Sequence, residues 1–169
     1  MAPDIVPPPD TDPGDLFHQH LVQARDAIAA GHYAEAVATY QACLGDPGLA
    51  ARLHLHVEAL ANCGAALLRE AMAEPDANLA ARRIDRAIAV LVQARTVSVG
   101  STSPVAATVL GNLALAHLGR HAIGRNEADL LSARIALDEA DPLGKRHDAE
   151  VLDWLRSIGA ALARQHPGE

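Results

Sequence analysis

The chain has 169 residues, half of them hydrophobic but only 2% aromatic, and a formal charge of −7 at pH 7. That length fits one domain with a substantial core, and a core so poor in aromatics must be built from Ala, Leu, Val and Ile, which favours tightly packed helices over a sheet. The negative charge speaks against nucleic acid or an anionic membrane as the main partner, no apolar run reaches membrane-spanning length, and the absence of a basic segment followed by an apolar one at the start predicts no secretory leader.

Residues 1–15 carry Pro3, Pro7, Pro8, Pro9 and Pro13 together with Asp4, Asp10, Asp12 and Asp15. This composition predicts a disordered or extended tail. Residues 16–166 form the helical domain. Leu16, Leu21, Ala24 and Ile28 mark a first helix that stops at Gly31. A second runs from Tyr33 to Leu44, and Gly45-Asp46-Pro47-Gly48 makes a turn. The third spans Leu49 to Ala73 and is broken by Pro75. Asp76 is the N-cap expected for a fourth, ending near Val97. In the loop from Gly100 to Pro104, Ser103 reads as a cap and Pro104 as the first position of a fifth helix. That helix runs to Gly119 or Gly124. A sixth covers Glu127 to Ala140 and is ended by Asp141-Pro142-Leu143-Gly144, and a seventh runs from Asp148 to Gln165. Seven helices on short loops give three helical hairpins and one closing helix.

Cys43 and Cys63 are the only cysteines. Two are too few for a disulfide framework. Cys43 ends one helix while Cys63 lies about 20 Å along the next, too far for a bridge. Both are expected to be reduced, packed thiols, as in a cytoplasmic protein.

The strongest pattern is a recurring glycine. Gly64, Gly111 and Gly159 sit in similar apolar surroundings, 47 residues from 64 to 111 and 48 from 111 to 159. A fixed period of that size marks stacked repeats. A glycine within a helix costs about 1 kcal/mol relative to alanine, so three at one spacing predict close helix approach. The expected fold is all-α: a helical-hairpin solenoid of three repeats plus a C-terminal capping helix.

The segment Ala24…Gly31-His32-Tyr33-Ala34-Glu35-Ala36…Tyr40…Cys43 resembles a tetratricopeptide repeat. That family places a small residue in the first helix, a Gly-x-Tyr turn, then a small residue, an aromatic and another small residue in the second. In the second repeat Gly64 matches with Ala87, Leu91 and Ala94, and in the third Gly111 with Ala133, Leu137 and Ala140. The resemblance covers residues 16–165 and is looser after the first repeat. From small residue to second-helix alanine is 12 residues in repeat one (24 to 36) but 23 and 22 later (64 to 87, 111 to 133). The later hairpins should therefore be longer, like the long-repeat variety of bacterial proteins.

The resemblance implies a concave groove lined by the first helix of each hairpin. Repeat register brings Leu21, Arg25, Ile28 and Ala29 to it, then Ala61, Ala65, Leu68 and Arg69, then Thr108, Asn112, Leu115 and Ala116, and finally Arg156, Ala160 and Arg164. The expected partner-binding residues are Arg25, Asn62, Arg69, Asn112, Arg156 and Arg164. Guanidinium groups pair well with carboxylates, so the expected partner is a protein or peptide segment with acidic groups. Assembly with a second copy of the chain is the alternative. The competing explanation is that these arginines only solvate exposed helix faces.

No catalytic signature is found: no His-Glu-x-x-His, phosphate-binding glycine loop, Gly-x-Ser-x-Gly or Cys-x-x-Cys. No enzyme activity, metal or cofactor is expected. The nearest approach to a metal site is His117 and His121, four apart on one helix face, with Glu70 and Glu74 at similar height on the preceding first helix. The default for both histidines is a solvated helix end. Arg82, Arg83 and Arg86 form a small basic cluster that reads as a solvated face. Trp154 is either core or an exposed interface anchor. The expected function is a non-enzymatic protein-interaction module. A regulatory sensor taking a small molecule or signal peptide is the second class.

Overall fold

The computed structural model describes residues 13–99, 104–147 and 149–165. Among them are eight helices and no strand: α1 (Pro13–Ala29), α2 (Tyr33–Leu44), α3 (Pro47–Ala50), α4 (Leu53–Met72), α5 (Ala77–Val97), α6 (Pro104–Gly124), α7 (Glu127–His147) and α8 (Ala149–Ala163). Residues 1–12 of the expected tail and the loop at 100–103 lie outside the described residues.

The helix boundaries follow local chemistry. α1 ends because Gly31 takes a left-handed φ of +78°, which lets the His32 N–H reach back to the Ala27 carbonyl at 2.8 Å without the penalty a side chain would incur. Asp76 caps α5, its Oδ1 accepting from the Leu79 N–H at 2.9 Å. Asp46 does the same for α3 through the Gly48 N–H at 2.7 Å, with Pro47 at the first position, where its missing N–H costs nothing.

Packing runs largely in chain order. α1 pairs with α2, α2 with α4, α4 with α5, α5 with α6, α6 with α7 and α7 with α8, while α6 also meets α4 and α8. The main core is aliphatic and small: Ala24, Ala36, Ala66, Leu67, Ala87, Leu91, Ala94, Val109, Ala114, Ala133 and Ala140 are all buried. A second cluster of Phe17, Cys43, Leu49, Leu55 and Ala59 closes the N-terminal end. Alanines at the contacts let helix axes approach, and leucines fill the space beside them.

Two of the three periodic glycines are close-approach points. A Cβ at Gly64 would lie 2.5 Å from Leu91 Cγ, and one at Gly111 would lie 2.8 Å from Leu155 Cδ2 and inside the Trp154 ring's contact distance. Gly159 corrects the expectation: nothing lies within 4 Å of its Cβ position. It sits on α8, the final described helix, and no following helix packs there.

Three boundaries also differ from expectation. α1 begins at Pro13 rather than Leu16. The chain after Gly45 makes a one-turn helix, α3, and breaks at Ala51 and Arg52 before α4 starts at Leu53. The break lets Leu49 turn into the Phe17–Cys43 cluster instead of following the axis of α4. Finally, α7 continues through Pro142 to His147. Proline removes one backbone bond and opposes a carbonyl, at about 3 kcal/mol. The burial of Ala140 and Leu143 against the main core holds the helix together across it.

Candidate functional site

A groove of about 1030 Å³ opens among the described residues. Its walls come mostly from three helices. α4 contributes Ala65, Leu68, Arg69, Met72 and Ala73; α6 contributes Thr108, Asn112, Leu115, Leu118 and Gly119; α8 contributes Glu150, Val151, Trp154 and Ala161. Tyr33 of α2 and Ile84 of α5 complete it. The α4 and α6 positions recur at intervals of three and four, so each helix turns one continuous stripe to the groove.

The lining is apolar apart from a few groups. Asn112 is only 9% exposed and lines the groove, while the buried side-chain atoms without a hydrogen bond among the described residues are His56 Nδ1 and Asp129 Oδ2. Arg69 is exposed at the edge and forms no ion pair among the described residues. Thr108 and Glu150 already interact within the chain. Trp154 is half-buried: its ring covers Gly111 and also lines the groove, so it is both packed and presented.

The structure brings Arg69 and Asn112 into this groove and leaves the other expected site residues outside its lining. Arg25 is exposed on α1, near Tyr40. Asn62 is half-buried on α4, one turn before the wall begins at Ala65. Arg156 pairs with Asp153 at 3.0 Å and faces a separate depression between α7 and α8. Arg164 is exposed near the end of α8. Sequence reading passed over Tyr33, Met72, Glu150 and Val151, and nothing in their local pattern marks them; their place depends on how α2 and α8 are rotated against α4 and α6.

The four residues considered for a metal are not assembled. Glu70 and Glu74 both hold Arg83, Glu70 at 3.1 Å and Glu74 in a shorter contact. His121 Nδ1 meets the Asn126 carbonyl at 2.9 Å, and His117 Nδ1 lies 3.2 Å from Asp129 Oδ1. No group of three or more metal-ligating side chains occurs among the described residues. The contact with both glutamates also removes Arg83 from any free basic cluster with Arg82 and Arg86.

Asp129 is the most buried acid, its side chain only 2% exposed. Its Oδ1 accepts from Arg120 Nη2 at 2.6 Å and Nε at 2.9 Å, and Arg120 Nη1 also donates to Asp85 at 3.1 Å. Burial raises the Asp129 carboxyl's pKa, but the bonds from Arg120 and His117 outweigh it and hold it below its ordinary value. The same bond, more than any other influence, raises the pKa of Arg120. The network ties α5, α6 and α7 together beneath the groove's far wall.

Cys43 and Cys63 are both free and buried. Burial pushes each thiol up to about 11, which suppresses thiolate reactivity. Among the described residues no helix is long and apolar enough to cross a membrane.

These features define a class: a chain whose described residues are all-helical and form an open, largely apolar groove with Asn112 and Arg69 in its lining. Comparison finds no matching family model, no matching curated protein and no matching solved structure for this chain.

Proposed function

We propose that this chain is a non-enzymatic protein-interaction module of the tetratricopeptide type. In this reading α1–α2, α4–α5 and α6–α7 are three repeats of a solenoid, and α8 is its capping helix. A peptide segment or partner protein binds in the groove. The observation that carries the reading is that the groove walls come mostly from α4 and α6, the first helices of the second and third hairpins, and from the closing helix α8. Support also comes from the close approaches at Gly64 and Gly111, 47 residues apart, the first to Leu91 of its own hairpin and the second to Trp154 and Leu155 of α8. Away from the groove α8 exposes Asp153, Arg156 and Ser157, a polar face of the kind a terminal helix needs.

The proposed partner is a protein with an acidic group for Arg69, met in the cytoplasm, where buried reduced thiols are at home. A second copy of the chain is the alternative partner. The net charge of −7 leaves nucleic acid and anionic membranes unfavoured. A regulatory sensor for a small molecule or signal peptide is the second reading, favoured by a largely apolar groove with Asn112 and Thr108 in its wall.

Affinity capture from native lysate with the wild-type chain and with Ala65→Trp, which fills the groove, tests the reading. Proteins retained by the first and lost from the second are expected. An identical set on both, with Ala65→Trp folded, would remove the groove from the function.

A further inference from the structure

We propose that the chain forms a two-fold dimer in which α8 of each copy lies in the depression between α7 and α8 of the other. This surface is separate from the groove walled by α4, α6 and α8.

The argument starts from which helices have neighbours. α4 is packed by α2 and α5, and α6 by α5 and α7. α8 packs on α7 and on part of α6, and among the described residues no further helix packs on it. Gly64 shows what such a neighbour does: Leu91 of α5 takes the space that its missing side chain leaves. Gly159, third in the series 64, 111, 159, has nothing within 4 Å of its Cβ position. It lines a depression of about 540 Å³ together with Leu137 of α7 and Leu152, Leu155 and Leu162 of α8. Leu131, 61% exposed, extends the apolar surface along the same stripe of α7 that carries Arg134 and Asp138. Each copy thus offers a place for one more helix and, in its own α8, a helix short of a neighbour. One contact, made twice by symmetry, fills both vacancies.

Charge selects a second copy as the occupant. The depression is lined by Arg134 and Arg156 and by Asp138 and Asp141, so positive and negative groups cancel there, in a chain of net charge −7. Two such chains repel at a distance and meet most readily where local charge is balanced. A two-fold axis matches the signs: when Arg156 of one copy reaches Asp138 of the other, the reverse pair forms as well. A partner of one sign would find half of these groups opposed to it. Arg156 is held only by Asp153, in a pair whose side chains are 66% and 73% exposed, and such a pair exchanges at little cost. Asp138 is exposed and has no ion pair among the described residues. Gly159 leaves room for the aliphatic stem of the incoming arginine.

Length sets the strength. α8 has 15 residues and is about 22 Å long, so two such helices in two shallow depressions make a contact at the small end of the specific range, below about 1,200 Å². The dimer is therefore weak, with a Kd on the order of 10 μM or above, and the dilute chain of an unfolding experiment is monomeric.

Sedimentation equilibrium of the full chain from about 1 μM to about 500 μM brackets that Kd and tests the proposal. Wild type should pass from monomer to dimer across the range. Gly159→Leu adds a side chain into open space, so it should keep the fold, by circular dichroism, and stay monomeric. Asp138→Arg and Arg156→Asp should each weaken the dimer about tenfold or more, and the double variant should regain most of the loss. Met72→Asp, in the separate groove, should dimerise as wild type does. A wild-type chain that is monomeric throughout would overturn the proposal. So would a dimer that survives in folded Gly159→Leu, or one that Met72→Asp abolishes, which would move the contact to the groove. A double variant no better than the single ones would overturn the Arg156–Asp138 pairing on which the choice of a second copy rests.

Discussion

The ring of Trp154 on α8 lies directly over Gly111 on α6, in the space that any larger residue at 111 would need. The contact does two things at once. It docks the closing helix against the middle of the array, and it fixes one side of the ring as wall of the groove. Rotation of α8 is thus set by an aromatic on glycine rather than by a following helix.

Glycine-to-alanine changes should split by position. Gly64→Ala and Gly111→Ala meet Leu91 and the Trp154–Leu155 pair, where overpacking costs about 1–3 kcal/mol and helix propensity returns up to about 1 kcal/mol. Both should lower the denaturation midpoint. Gly159→Ala meets open space and should raise it by up to about 1 kcal/mol. Chemical denaturation of the three variants reads all three signs, and a destabilised Gly159→Ala would show that a partner surface already occupies that face.

Asp129→Ala should be among the most damaging single changes. It strands Arg120 and His117 beside a site where the acid is 2% exposed. Breaking a buried pair costs about 3–5 kcal/mol; with Arg120 itself 36% exposed, the lower end is expected. Asp85→Ala removes a 57% exposed partner of the same arginine and should cost under about 1 kcal/mol. Urea unfolding of both variants gives the ratio.

The same aspartate predicts the acid limb of stability. Its folded pKa is lowered from 3.8, so the unfolded chain takes up the proton first as pH falls. The contribution is complete above about pH 4 and is lost as pH drops from there through the lower folded value. Wild type and Asp129→Asn should therefore differ most at neutral pH and converge below that window. A constant gap down to pH 2 would mean that the carboxylate is not held charged by Arg120.

Neither thiol should react in the folded chain. At pH 8 a disulfide-exchange reagent should titrate no cysteine natively and both in denaturant, because burial pushes each to about 11. Fold stability should also fall from pH 9 to 11, where only the unfolded thiols ionise.

Asn112→Leu should separate stability from binding. Asn112 lines the open groove and is not among the buried groups left without a hydrogen bond, so leucine should change the free chain's stability by less than about 1 kcal/mol. Loss of stability would show that Asn112 has a partner within the fold. Thermal denaturation of the free chain decides it.

Sequence alone determined what depends on near neighbours along the chain. Apolar residues three and four apart make helices wherever the rest of the chain goes, and Gly31, Asp76 and Pro104 act within one turn of themselves. Gly64 and Gly111 were legible as close-approach points from their 47-residue spacing, but the partners were not: Gly64 meets Leu91 within its own hairpin and Gly111 meets Trp154 and Leu155 of α8. Arg69 and Asn112 follow from the same register on α4 and α6. Tertiary structure decided the rest. Arg156 occupies the register position of a groove residue, yet it lies two residues from Trp154, about 200° round the helix, and once the Trp154 ring sits on Gly111 it faces the other side. Leu49 bends the chain into α3 because Phe17, 32 residues earlier, offers it a pocket. Asp129 lies in the first turn of α7, with nothing in its local sequence to mark it; only the packing of α6 against α7 buries it on Arg120. In each case the deciding partner lies far along the chain, and the energy that selects it comes from contacts that exist only after the helices have met.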